Sequence, residues 1–247
     1  MAHAAWKWMA VAAALGSGVF AGCSDKGGGG PGSDDKTDAG SDGTGENLVR
    51  PGLGDDEGTP QGTPLNLPAG IRVTGKILGE DAGEGECEGA TIPPAGSGRA
   101  VWACMKLENS TGAPVQVELP PGMMITSDTG EGQNGLLVEN VYFTVPPTLN
   151  TGGVDAGTDA GTGGPTYFVV PVRMYCLNES KSPSFDRMEY SLGNVTSDPD
   201  LRELLSLLSG KTIDTDEERD LVQEAIYKIT EGRGLTRADK DALRQLR

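Results

Sequence analysis

The chain has 247 residues and carries 36 acidic against 20 basic side chains, a formal charge of −16; such an excess repels nucleic acid and bare anionic membrane. Its single histidine is His3, which removes Ser-His-Asp and Cys-His catalysis and the usual His-bearing zinc sites from everything downstream. Aromatic and aliphatic residues are sparse but clustered, enough for one or two modest cores and too few for a large enzyme core.

Residues 1–22 have the layout of a secretory leader: Lys7 supplies positive charge, Trp8 to Val19 form a hydrophobic run, and small residues precede Cys23. The run is too short and too rich in Gly and Ala for a bilayer span of ~20 residues. Val19-Phe20-Ala21-Gly22-Cys23 resembles a bacterial lipobox, with Phe20 where that motif more often has Leu. The resemblance implies cleavage after Gly22, a diacylglyceryl thioether and an acylated amine (palmitate or a similar chain) on Cys23, and a lipoprotein held in the cell envelope. Ser24 resembles the default that sends such lipoproteins to the outer membrane. The processed chain would have 225 residues and a charge near −17. The implied partners are the membrane, through Cys23, and another envelope protein or surface polymer; no cofactor and no metal are expected.

Residues 24–65 hold twelve glycines, four prolines, nine acidic residues and no aromatic. With Leu48, Val49, Leu53 and Leu65 as the strongly apolar side chains, burial cannot offset the entropy of ordering, and a disordered tether over 23–65 is predicted. As a Gly-rich coil it would span roughly 35 Å. Asp38 to Gly43 resembles part of a calcium loop but lacks the full ligand set.

From residue 66 to 197 the pattern becomes short β-like runs between Gly, Pro and Asp turns. Ile71 to Ile77 and Val115 to Leu119 alternate; Met123 to Ile125, Arg99 to Glu108, Leu136 to Val145 and Tyr167 to Leu177 follow, and Met188 to Leu192 reads as an edge. Six or seven strands at this spacing predict a mainly β fold, an antiparallel sandwich in the manner of immunoglobulin-like modules. The Asp-Ala-Gly-Thr repeat within 148–165 reads as a disordered loop insertion.

The segment 198–247 changes period to a small helical C-terminal region. Asp198 before Pro199 starts a helix whose stripe is Leu201, Leu204, Leu205 and Leu208, with Gly210 as the stop. Thr215 and Glu218 form a capping box ahead of Leu221, Val222, Ala225, Ile226 and Ile229, ending at Gly232. Thr236 and Asp239 repeat the box before Ala242, Leu243 and Leu246.

Cys87, Cys104 and Cys176 remain after Cys23, in a compartment that would preserve disulfides. Alternation from Arg99 puts Val101, Ala103, Met105 and Leu107 in the core and Cys104 on the face with Trp102, Lys106 and Glu108. A Cys87–Cys104 bridge then displaces no core residue and is favoured, with Cys104–Cys176 as the alternative. Cys176 continues the apolar face Phe168, Val170, Val172, Met174 and should face inward.

Tyr175-Cys176-Leu177 and Gln223-Glu224-Ala225-Ile226-Tyr227 resemble the two motifs of bacterial thioester adhesin domains, with Val222 where that family tends to have Thr and Tyr227 where it tends to have Trp. The resemblance implies an internal thioester, its sulfur from Cys176 and its acyl carbon from Gln223, able to capture a surface amine. The acid–base candidates for a carboxylate hydrolase are Glu84 with Glu86 and Glu217 with Glu218, residue types that Gly-rich loops and first helical turns carry anyway. No catalytic residue is assigned. The functional expectation is a membrane-anchored, non-catalytic β module that binds or supports an envelope component, with the thioester adhesin as the alternative.

Overall fold

A computed structural model describes residues 50–148 and 166–247. The leader, Cys23, the tether up to residue 49 and the Asp-Ala-Gly-Thr repeat lie outside the described residues.

Within them the fold is mainly β with C-terminal helices. The strands are β1 (Gly62–Pro64), β2 (Ile71–Val73), β3 (Ile77–Glu80), β4 (Val101–Asn109), β5 (Val115–Leu119), β6 (Met123–Ser127), β7 (Gly135–Leu136), β8 (Val141–Val145), β9 (Phe168–Cys176) and β10 (Glu189–Thr196). The helices are α1 (Pro199–Leu208), α2 (Asp216–Thr230) and α3 (Arg237–Arg244).

Pairing runs β10–β3–β4–β9–β7–β6 and returns to β10, so six antiparallel strands close on themselves. The immunoglobulin-like sandwich expected from strand spacing is thereby corrected to a closed barrel. Spacing reports that short strands alternate with turns, while closure depends on one strand reaching two partners. That strand is β10, which meets β3 through Glu189 and Tyr190 and β6 from Tyr190 to Val195, with a register shift between Leu192 and Val195. Gly193 lies in the shift, where a Cβ would come 3.0 Å from the Met124 carbonyl oxygen. Such bulges bend a strand and let it turn a barrel corner. The segment read as an edge is therefore the closing strand, longer than predicted because Gly193 and Asn194 look like a turn.

Two other runs are broken. Gly75, at φ 68°, separates β2 from β3, which both pair with β4. The run expected from Leu136 to Val145 divides into β7, inside the ring, and β8, which pairs with β5 in a separate ribbon.

One core fills the barrel and reaches the ribbon: Val101, Met105, Leu107, Leu119, Ile125 and Val170 are wholly buried in it. A second lies outside, where Met124, Leu136, Tyr175 and Leu177 of the barrel wall meet Leu201 and Leu204 of α1, Val222 and Ile226 of α2 and Leu243 of α3. Strand β9 serves both cores, which is why it is the longest apolar run. The helix starts follow their predicted caps: Asp198 accepts from the Asp200 and Leu201 amides, and Thr215/Glu218 and Thr236/Asp239 form full capping boxes.

The tether boundary moves. Arg50 forms ion pairs with Asp198, at 2.8 Å, and with Asp200. Leu53 is buried in the second core, and β1 pairs with β10. The folded part thus includes residues 50–65, held by polar and backbone contacts that a count of apolar residues does not register.

Candidate functional site

Two places on the barrel gather the cysteines and the groups around them. The first is the outer face of β3, β4 and β9. Register sets Glu80 opposite Trp102 and Trp102 opposite Arg173, with Leu78, Cys104 and Pro171 in the next row. Neighbouring strands are ~4.8 Å apart, so a carboxylate, an indole and a guanidinium stand side by side across three strands. The connection from β3 to β4 folds back over this face. It is fastened by the Cys87–Cys104 disulfide, with Cα atoms 5.5 Å apart, and by Ala95, which donates to the Pro171 carbonyl at 2.9 Å and accepts from the Arg173 amide at 2.7 Å. The favoured bridge is thus present, and Cys176 is free.

Between loop and sheet lies a cleft of about 280 Å³, lined by Glu80, Glu86, Ile92, Pro94, Trp102 and Arg173 among others. The Arg173 guanidinium stacks on the Trp102 ring, 4.0 Å from its centroid. Arg173 Nε and Trp102 Nε1 are buried, and no acceptor among the described residues meets either donor. Burial, with Asp186 and Asp81 nearby, holds the Glu80 carboxyl above its ordinary range. Glu80 Oε1 is 3.3 Å from Cys104 Sγ; the bridged sulfur has no proton, so this is a contact and not a hydrogen bond. Glu80, Cys87 and Cys104 bring three potential metal-ligand atoms together, but a disulfide offers no thiolate, and the group in this state is no metal centre.

The second place is the end of β9 under α2. Strand β4 pairs only as far as Val101 opposite Met174, which leaves the Cys176 backbone without a strand on that side. The Gln223 carboxamide takes the missing strand's place: Oε1 accepts from the Cys176 amide and Nε2 donates to the Cys176 carbonyl, both at 2.9 Å. The thiol is fully buried, donating to the Asn178 carbonyl at 3.1 Å and accepting from the Asn178 amide at 3.2 Å. Burial pushes it up to about 12, although the Tyr227 hydroxyl beside it acts in the opposite sense. Gln223 also lines an open depression with Arg99, Tyr175, Arg219 and Asp220. Next to the thiol, Asn178 donates to the carbonyls of Gly52 and Gly54, and Asn134 donates to Gly52.

The acidic pairs do not converge. Glu84 and Glu86 are exposed in the loop, Glu86 at the cleft. Glu218 is occupied by its cap, accepting from the Asp214 and Thr215 amides, which hold its carboxyl below the usual range. The juxtaposition of Glu80, Trp102 and Arg173 escapes sequence reading; strand parity places Trp102 and Arg173 on outward faces, but only register makes them neighbours. Cys23 lies outside the described residues. Comparison with protein-family models, curated proteins and solved structures found no match, so no family is assigned to the chain.

Proposed function

We propose that the chain is a lipid-anchored bacterial envelope protein of the outer membrane, whose barrel is a non-catalytic binding or support module for another envelope component. The observation that carries this reading is Ala21-Gly22-Cys23 at the end of a short apolar leader. The Cys87–Cys104 bridge supports it, since such bonds persist in oxidising compartments. The kinship of strand spacing with immunoglobulin-like modules enters only as an analogy of role: a β scaffold presenting loops. Labelling cells with palmitate tests the anchor. The native chain incorporates label and partitions into detergent, and Cys23→Ala does neither; label retained by the variant would overturn the reading.

One observation favours a second reading, a covalent adhesin: Cys176 and Gln223, 47 positions apart, are hydrogen-bonded. Condensation would join Sγ to the Gln223 acyl carbon, break its C–N bond and release ammonia, the thiol proton leaving with the nitrogen. The carboxamide is instead docked on the Cys176 backbone and the sulfur engaged with Asn178, so the unreacted pair already has a packing purpose. Intact mass decides: a thioester lowers it by one ammonia, and methylamine then adds to Gln223.

A further inference from the structure

Arg173 stands out among the arginines. Arg50, Arg72, Arg99, Arg219, Arg233 and Arg244 each meet a carboxylate. Arg173 is half-buried, forms no ion pair among the described residues, and has an indole as its neighbour. A shielded cation without a counter-ion is costly, and stacking on an aromatic face offsets only part of that cost. Glu80 and Glu86 line the same cleft, yet neither is ion-paired with Arg173 among the described residues. The charge of Arg173, a side chain that lines the cleft, asks for an oxyanion.

The rest of the cleft defines what carries that oxyanion. Ile92, Pro94 and Pro171 give it apolar walls. Glu80, across Trp102 from Arg173, supplies an acceptor at the far side. The disulfide and the Ala95 backbone pairing hold the wall in place before any ligand arrives, which lowers the ordering cost of binding.

We infer that this cleft binds the carboxylate end of a peptide or acyl amino acid: Arg173 takes the carboxylate, the apolar side chain lies against Ile92 and Pro94, and Glu80 accepts from the ligand's amide N–H. The assignment rests on the binding-module reading and names the chemistry of its ligand.

Trp102 makes the test direct. The other tryptophans are Trp6 and Trp8, both in the leader that cleavage after Gly22 removes, so emission from the processed chain reports on the cleft alone. The probes are N-acetyl-leucine and its neutral amide, N-acetylleucinamide, titrated at low ionic strength. The acid gives a saturable change in Trp102 emission and binds about tenfold or more tighter than the amide, the loss expected for one charge-assisted hydrogen-bonded contact. Arg173→Gln brings the two affinities together. Equal binding of acid and amide, or no saturable response to either, overturns the proposal. The acid-against-amide comparison needs no variant at Arg173, so it decides even where Arg173→Gln fails to fold. Palmitate labelling is independent of it: a failed titration with label intact removes the ligand and leaves the anchor.

Discussion

The barrel covers its outer wall in two ways. Over β6, β7 and the end of β9, three capped helices bring an apolar stripe, and Gln223 and Asn178 find partners there, on the Cys176 backbone and on Gly52 and Gly54, while Gln133 Oε1 and Glu139 Oε2 are buried acceptors that meet no donor among the described residues. Over β3, β4 and the middle of β9, an irregular loop fastened by a disulfide leaves a cleft lined by a half-buried cation, Arg173, that has no ion pair among the described residues. Both coverings bury a cysteine. Polar groups satisfied within the chain belong to its architecture, whereas a half-buried cation without a counter-ion points outside it.

The contrast can be broken at its apolar side first. Leu204→Ala, at a fully buried position of α1, should cost about 2–5 kcal/mol through lost burial and the cavity left behind. The checks are a lower denaturant midpoint and faster amide exchange in the helices, with the loop flank unchanged.

The second cut is at the disulfide, which closes a separation of 17 residues. Replacing Cys87 and Cys104 together by Ser should cost about 3 kcal/mol. Here proteolysis should begin within residues 81–98 while the helical flank keeps its exchange protection.

Gln223→Leu sharpens the comparison, because it keeps much of the volume and removes the strand-like carboxamide. The Cys176 amide and carbonyl lose both bonds, at a cost of about 1–3 kcal/mol. Gln223→Glu, which keeps the acceptor and loses the donor, should fall between Leu and the native residue in thermal denaturation.

The smallest effect is a pH dependence. Cys176 is held protonated, its value raised from 9.0 to about 12 by burial. A raised folded value means that the folded chain keeps a proton the unfolded chain gives up. The thiol's contribution is therefore complete below the ordinary cysteine range and declines as pH rises through it toward the folded value. The stability gap between the native chain and Cys176→Ala should narrow over that interval and stay flat below it. Iodoacetamide should leave the thiol unmodified until the protein unfolds.

Much of the frame was readable in advance because it depends on local periodicity. Alternation placed Val101, Ala103, Met105 and Leu107 inside and turned Cys104 outward to Cys87. Cap residues located all three helix starts. What escaped depends on partners far away in sequence: the bulge at Gly193 that closes the ring, the pairing of Arg50 with Asp198, and the cross-strand row Glu80, Trp102, Arg173. Motif likeness pairs Cys176 with Gln223, but does not give the manner of their meeting, in which an amide imitates a strand.

The entry point of the chain has a mechanical meaning. Arg50 spans the start of α1, through Asp198, and the end of α2, through the Ile229 carbonyl at 3.1 Å, and two asparagines grip the Gly52 carbonyl just beyond. A pull delivered along the polypeptide from its amino end meets this knot before it reaches any strand. The load is shared by several bonds strained together, so the barrel is shielded from tension until the whole knot gives way.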